Sequence, residues 1–256
     1  MSALPYLTVE LANGDCLEYL KSLRDGSIDL ALIDPPYEIS RETGFESVKK
    51  GVQRFAVSMD FGSWDHNFPE MLSVVLELHR VLRKGGTAII FYDLWKLSVL
   101  AEYCKTAGFK QLRLIEWLKT NPVPLNSKRN YLTNAREIAV LGVKGSNPTF
   151  HSEYDNGLYT APICHEKGRF HPTQKPLGLI RSLIEKHSNP GDIVLDCFLG
   201  SGTTAVAAIQ SGRSFRGCEL DIDYFSKASS RINEAVVTGP VGTETTVRFL
   251  GERNAQ

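Results

Sequence analysis

The sequence has no apolar run approaching the ~20 residues that a membrane-spanning helix needs, which excludes a helical membrane protein. It has no CxxC pair either. Its five cysteines, Cys16, Cys104, Cys164, Cys197 and Cys218, are scattered and odd in number, so buried free thiols are expected rather than a disulfide framework or a zinc site. Charge of one sign is not in excess: 29 basic residues face 29 acidic ones, which argues against a protein that coats nucleic acid through charge alone. The N-terminus, Met1-Ser2-Ala3-Leu4-Pro5, lacks the basic flank and apolar stretch of a secretory signal, and a cytoplasmic location is expected. Internal repeats and low-complexity segments are absent. His66, His79, His151, His165 and His187 have neither metal-ligand spacing nor a nucleophile partner, so packed or exposed roles are expected and no metal is implied.

What is present reads as alternating strands and helices. The apolar run Ile28–Ile33 stops at Asp34-Pro35-Pro36-Tyr37, because paired prolines continue neither a helix nor a central strand. Residues 38–68 show no periodicity and read as a long loop or lid. Met71, Leu72, Val75, Leu78 and Leu82 recur at helical spacing over residues 69–83, and Gly85-Gly86 separates that helix from a strand at 87–92. A helix over 94–107, strands over 111–118 and 137–143, and a polar insertion over 145–170 follow. Next come a helix ending near His187, a strand at 192–197, a glycine turn, a helix at 203–210, a strand ending in Glu219 and a helix at 224–236. This alternation predicts an α/β fold with a doubly wound, mainly parallel sheet. Residues 1–238 are expected to form one domain with insertions at about 38–68 and 145–170, and residues 239–256 a poorly ordered tail.

Two strand ends carry chemistry. Asp196-Cys197-Phe198-Leu199-Gly200-Ser201-Gly202-Thr203-Thr204 joins a strand to a helix, where glycines let backbone approach a ligand and the helix start offers free N–H groups. Glu219 closes the next strand, where a carboxylate can accept two hydrogen bonds from a ribose diol. No lysine follows the glycines as a GxxxxGK[ST] loop requires, and GxGxxG is missing, so the ligand is a nucleoside without a phosphate chain and a dehydrogenase is disfavoured. At the other strand end, the Asp34 carboxylate and the Pro35 carbonyl can accept both hydrogens of an aromatic exocyclic amine. That draws the nitrogen toward sp³ geometry and localises its lone pair. Proline fixes φ and has no competing N–H, so the acceptor is held before the substrate arrives. Tyr37 can stack on a base turned out of the duplex.

Asp34-Pro35-Pro36-Tyr37, then His171-Pro172-Thr173-Gln174-Lys175-Pro176, then Phe198-Leu199-Gly200-Ser201-Gly202-Thr203-Thr204 resemble the ordered motifs of the β group of DNA amino-methyltransferases, in which the catalytic motif precedes the cofactor motif. The resemblance covers about residues 9–236. It implies the Rossmann-like fold of S-adenosylmethionine-dependent methyltransferases in permuted motif order, with S-adenosylmethionine as cofactor and double-stranded DNA as partner; a homodimer is compatible with it. It also implies that Asp34, Pro35, Pro36 and Tyr37 form the catalytic site. Asp196, Phe198, Gly200, Ser201, Gly202 and Thr203 would surround the methionine part of the cofactor, with Glu219 on the ribose. Thr173 and Lys175 would touch the ribose or methionine end, and Asp15 and Cys16, in a segment like the family's N-terminal one, would lie against the adenine. Trp117–Pro122 resembles a segment on the DNA side, which turns the basic stretch 110–144, seven cations against Glu116 and Glu137, into a phosphate-binding expectation for Lys119, Lys128, Arg129 and Arg136. Aspartate at the first motif position is associated in that family mostly with adenine N6. Cytosine N4, an RNA base, or a catalytically silent DNA-binding protein are the alternatives.

Overall fold

The computed structural model describes residues 6–36, 71–122, 133–164, 170–171, 173–238 and 244–250. The amino-terminal half runs β1 (Tyr6–Asn13), α1 (Cys16–Ser22), β2 (Ile28–Ile33), α2 (Met71–Val81), β3 (Leu82–Tyr92), a 3-10 turn (Leu94–Lys96), α3 (Leu97–Ala107), β4 (Phe109–Lys119) and β5 (Arg136–Lys144). The remainder is β6 (Leu158–Ala161), α4 (Leu177–His187), β7 (Ile193–Asp196), α5 (Thr203–Gln210), β8 (Ser214–Glu219), α6 (Ile222–Val237) and β9 (Glu244–Leu250).

These strands form one sheet in the order β6-β4-β5-β3-β2-β7-β8-β1-β9. Every neighbouring pair is parallel except the two that involve β5, which therefore runs against the rest. Alternation along β2 sorts its side chains between two cores. Leu30 and Leu32 enter a cluster with α4, α5 and α6, whereas Ala31 and Ile33 enter one with α1, α2 and α3. Helices thus cover both faces, the arrangement a buried parallel sheet requires. The chain leaves β2 toward β3 on one side and β7 toward β8 on the other, so β2 and β7 flank a topological switch point, where open α/β sheets bind ligands at the carboxyl ends of their strands.

The structure corrects three expectations. Helix α2 stops at Val81, and β3 already begins at Leu82; Gly85-Gly86 lies inside the strand, in an irregular stretch where pairing with β2 jumps from Ile28↔Leu82 to Leu30↔Thr87. Arg83, in that excursion, bonds to the Asp29 carboxylate of β2 and, at 3.0 Å, to Thr149, interactions that helical periodicity does not encode. The polar stretch 145–170 supplies β6, which pairs with β4 and receives a 2.9 Å hydrogen bond from the Trp117 indole on the Ala161 carbonyl. The stretch expected as a tail contributes β9, parallel to β1 from Tyr6↔Glu244 to Ala12↔Leu250. An uncovered β1 would present a row of unpaired backbone groups, and the run Glu-Thr-Thr-Val-Arg-Phe-Leu has the β-branched and aromatic content to pair with them.

The five cysteines are free and buried. His187, buried at the end of α4 against Phe150, is held down to about pKa 4, chiefly because burial penalises the imidazolium. Its folded pKa is below the unfolded value near 6.5, so the unfolded chain binds the extra proton and stability falls as pH drops from about 6.5 toward 4, by up to about 3 kcal/mol from this group. Urea midpoints measured from pH 7 to 4 are expected to fall less steeply in His187→Leu than in the wild type; identical slopes would refute this account.

Candidate active site

The carboxyl ends of β2, β7, β8 and β1 lie side by side and bring most of the singled-out residues together. Leu30 pairs with Val194 and Ala31 with Leu195, so Asp34, just beyond β2, and Asp196, the last residue of β7, emerge on the same edge. Asn13↔Glu219 registers the β1 end with the β8 end. That junction is stitched by backbone and amide bonds: the Gly14 N–H donates to the Glu219 carbonyl (2.9 Å) and the Asn13 amide to the same oxygen (2.8 Å). Asp15 caps α1, accepting from Leu17 N–H at 2.9 Å and Glu18 N–H at 3.1 Å. Cys16, next to it, is buried, and burial pushes its thiol up to about 12, so it packs as an unreactive group.

The turn after β7 depends on two left-handed glycines, Gly200 (φ 50°) and Gly202 (φ 74°). A Cβ on Gly202 would also lie 3.2 Å from Ile232 Cδ1 of α6, so a larger residue there would strain the backbone and press on the helix packing. Glu219 holds this turn: its Oε2 accepts from Gly200 N–H at 2.7 Å and its Oε1 from Asp221 N–H at 3.0 Å. The His171 ring stacks edge-on against Tyr224 (4.6 Å) and bonds the Thr173 hydroxyl (3.1 Å), which brings His171 and Thr173 to the same edge. Ser201 and Thr203 turn inward. Their hydroxyls bond each other at 2.9 Å, and Arg231 donates to the Ser201 carbonyl and the Thr203 hydroxyl.

Acid dominates this edge. Burial pushes the Asp196 carboxyl up to about 8 against the opposing bonds from Thr204 and the Phe198 N–H, with the Asp34 and Glu219 charges adding to the rise. Burial likewise raises Glu219. Three carboxyl groups on adjacent strands form a site whose ionised state is favoured by a cationic ligand.

Lys175 occupies a place that the motif reading does not foresee. Expected at the ribose or methionine end of a cofactor, its ammonium bonds Asp34 Oδ2 and lies 2.9 Å from Glu137 Oε2, over the Phe91 ring at 4.9 Å. Glu137 pairs in turn with Lys119 at 2.8 Å. Burial works against the Lys175 ammonium, but Asp34 and Glu137 outweigh it and raise its pKa; Glu137, despite its burial, is held below the usual range by Lys175 and Lys119. Lys119, expected among phosphate contacts, thus turns inward to a carboxylate, whereas Arg136 is exposed and paired with Glu116 at 3.1 Å. Glu137 is the residue that sequence reasoning missed. It is the second residue of β5, and because β5 is antiparallel its first residues reach the edge where the other strands end. Tyr37, Lys128, Arg129 and the insertion at 38–68 lie outside the described residues. Among the described residues, no group of three His, Cys, Asp or Glu is placed to hold a metal, and no helix is long and apolar enough to cross a membrane.

Comparison with known proteins places these features in a family. A family described as DNA methylase matches residues 28–230. The chain is 30% identical to the Type II methyltransferase M2.LlaDCHI of Lactococcus lactis subsp. cremoris, over 92% of this chain and 94% of that protein. It is 29% identical to the Type II methyltransferase M2.MboI of Moraxella bovis, over 86% of each. The crystal structure of the M1.HpyAVI–SAM complex superposes with a TM-score of 0.65 at 28% identity, covering 87% of this chain and 99% of that one.

Proposed function

Because this chain belongs to the DNA methylase family of N6-adenine and N4-cytosine methyltransferases, we propose that it methylates the N6 amine of an adenine turned out of duplex DNA, at a site headed by Asp34. S-adenosylmethionine is the methyl donor. When bound, it supplies a methyl group on positively charged sulfur, already activated for in-line displacement. The residues present fit such a cation: Asp196 is a buried and Glu219 a half-buried carboxyl, both with raised pKa values, the condition of acids lacking a positive partner. In this reading Asp15, Cys16 and Thr173, with the turn Phe198–Thr203, line the cofactor end, and the two Glu219 oxygens hold both the glycine turn and the ribose.

The observation that carries the proposal is the placement of Asp34 beside Asp196, at the ends of paired strands on either side of the switch point. An exocyclic amine is a weak nucleophile because its lone pair is delocalised into the ring. The Asp34 carboxylate accepts one amine hydrogen and the Pro35 carbonyl the other, which localises the lone pair toward the methyl group. Pro35 is buried and Asp34 is anchored by Lys175, so both acceptors are set before the base arrives. After transfer the nitrogen must lose a proton, and the Asp34 carboxylate is the base within reach. Tyr37 supplies the stacking face for the flipped base, and Arg136, with Lys128 and Arg129, the phosphate contacts.

Support for adenine rests on aspartate rather than serine at position 34, following the association in the family resembled. Both amines give two hydrogen bonds, so the acceptors alone would activate either. Methylation-free genomic DNA incubated with the protein and labelled S-adenosylmethionine is expected to yield N6-methyladenine by nucleoside mass spectrometry. Label in N4-methylcytosine alone would reassign the base and leave the transfer chemistry standing.

A further inference from the structure

We infer that Lys175 is a positioning residue for the transfer step, holding the Asp34 carboxylate ionised and oriented toward the acceptor amine, and that Glu137, backed by Lys119, holds Lys175 in place. This rests on the reading of Asp34 as the amine acceptor. Four charges alternate in sign across the edge: Asp34 beyond β2, Lys175 ahead of α4, Glu137 on β5 and Lys119 on β4. Strand β3 lies between β2 and β5, and its Phe91 ring forms the floor beneath the Lys175 ammonium. Lys175 and Lys119 are well shielded, with side chains 7% and 12% exposed, so these pairs are not screened as surface pairs are.

Each member has a physical reason to be there. Asp34 shares its edge with Asp196 of β7 and Glu219 of β8, and neighbouring carboxylates drive one another toward the neutral form, which could not serve as acceptor and base. Lys175 is the cation that offsets them. A carboxylate offers about four acceptor sites, so a bond from Lys175 to Oδ2 is compatible with an amine hydrogen on the same group. An ammonium has three rotatable donors and could swing to any nearby anion; Glu137, a second anion at 2.9 Å, restricts that swing. Lys119 neutralises Glu137 so that it remains an anion and does not take the Lys175 proton. The quartet sums to zero charge, which lets a cation sit beside Asp34 without repelling the cationic methyl donor.

The test uses the full chain and methylation-free genomic DNA, with enzyme and S-adenosylmethionine in excess. Single-turnover transfer is followed from pH 5 to 9 for wild type, Lys175→Met, Lys175→Arg, Glu137→Gln and Asp34→Ala, and calorimetry gives the cofactor Kd of each. Lys175→Met is expected to slow transfer at pH 7 by about 100-fold with cofactor Kd within about threefold. Its acid limb should move up by about 1–2 pH units, because a carboxylate that loses an adjacent cation is protonated more readily. Asp196 also titrates and responds to the Asp34 charge, so the limb of Lys175→Met is compared with those of wild type and Lys175→Arg, all of which keep Asp34. Lys175→Arg should restore the limb and at least about tenfold of the rate, and Glu137→Gln should slow transfer by about tenfold at unchanged cofactor Kd. A purely structural clamp would not shift the limb. The inference is overturned if Lys175→Met transfers within threefold of wild type, if its limb does not move, or if it loses cofactor affinity in parallel with rate, which would return Lys175 to the cofactor. Should Lys175→Met not fold, Lys175→Arg and Glu137→Gln decide by the same readouts, and a normal rate and limb in Glu137→Gln overturns the chain of support. An active Asp34→Ala defeats the underlying reading of Asp34; an inactive one beside a normal Lys175→Met defeats only this inference.

Discussion

Asp34→Ala is expected to reduce single-turnover methyl transfer by on the order of 10³-fold or more while cofactor affinity stays within about tenfold, ~1.4 kcal/mol. The asymmetry follows from what the carboxylate touches. In the proposed reading Asp34 acts on the acceptor amine and on its product proton, groups that belong to the DNA base, whereas the turn 196–203 and Glu219 would make up the cofactor end. The variant is also expected to fold. Truncation removes one partner of Lys175 but leaves Glu137 at 2.9 Å, so the buried ammonium is not orphaned, the circumstance in which breaking such pairs costs most. Calorimetry with S-adenosylmethionine and a labelled-methyl assay on one preparation measure both quantities. Near-normal turnover would remove Asp34 from the chemistry.

Glu219→Ala should show the opposite pattern, with cofactor affinity falling about 10- to 100-fold, as expected for charge-assisted hydrogen bonds worth roughly 1.5–3 kcal/mol. The upper end of that range is favoured here. The same carboxylate accepts from Gly200 N–H and Asp221 N–H, so its loss also frees the glycine turn that must be ordered when the ligand binds. Glu219→Gln, which keeps one side-chain acceptor for that backbone, is expected to fall between wild type and alanine. Affinity unchanged in both variants would mean that the ribose is held elsewhere. Thermal midpoints of the three proteins separate loss of binding from loss of fold.

Much of the site was legible because its residues are consecutive. Asp34-Pro35-Pro36 and Asp196–Thr203 each need several residue types in one short stretch, and each sits where an apolar run stops, so the local pattern names both the strand end and the chemistry proposed for it. The elements around them were equally local: α5 falls at the expected residues, and the strand ending in Glu219 and the helix after it lie within two residues of expectation. Where the local signal was ambiguous the reading slipped. The double glycine at 85–86 serves a helix–strand junction or an irregular strand equally well, and only the jump in pairing against β2, with Arg83 on Asp29, selects the second. The short runs in β6 and β9 contain few enough apolar residues to pass for loop and tail; what makes them strands is an edge of the sheet that no sequence window contains.

The sequence by itself determined the fold class, the two motifs and their order along the chain, because helix and strand periods, proline stops and glycine turns act over a few residues. Only the tertiary structure decided which charges meet. Lys119, Glu137 and Lys175 lie on three separate segments, and as single letters each reads as a solvated or ligand-facing charge. They become one neutral array with Asp34 because β5 runs antiparallel and so delivers its first residues, rather than its last, to the carboxyl edge of the sheet. Strand direction is settled by long-range pairing and the burial of whole faces, and Coulomb interactions between buried groups depend on distances of a few ångströms that such pairing alone creates.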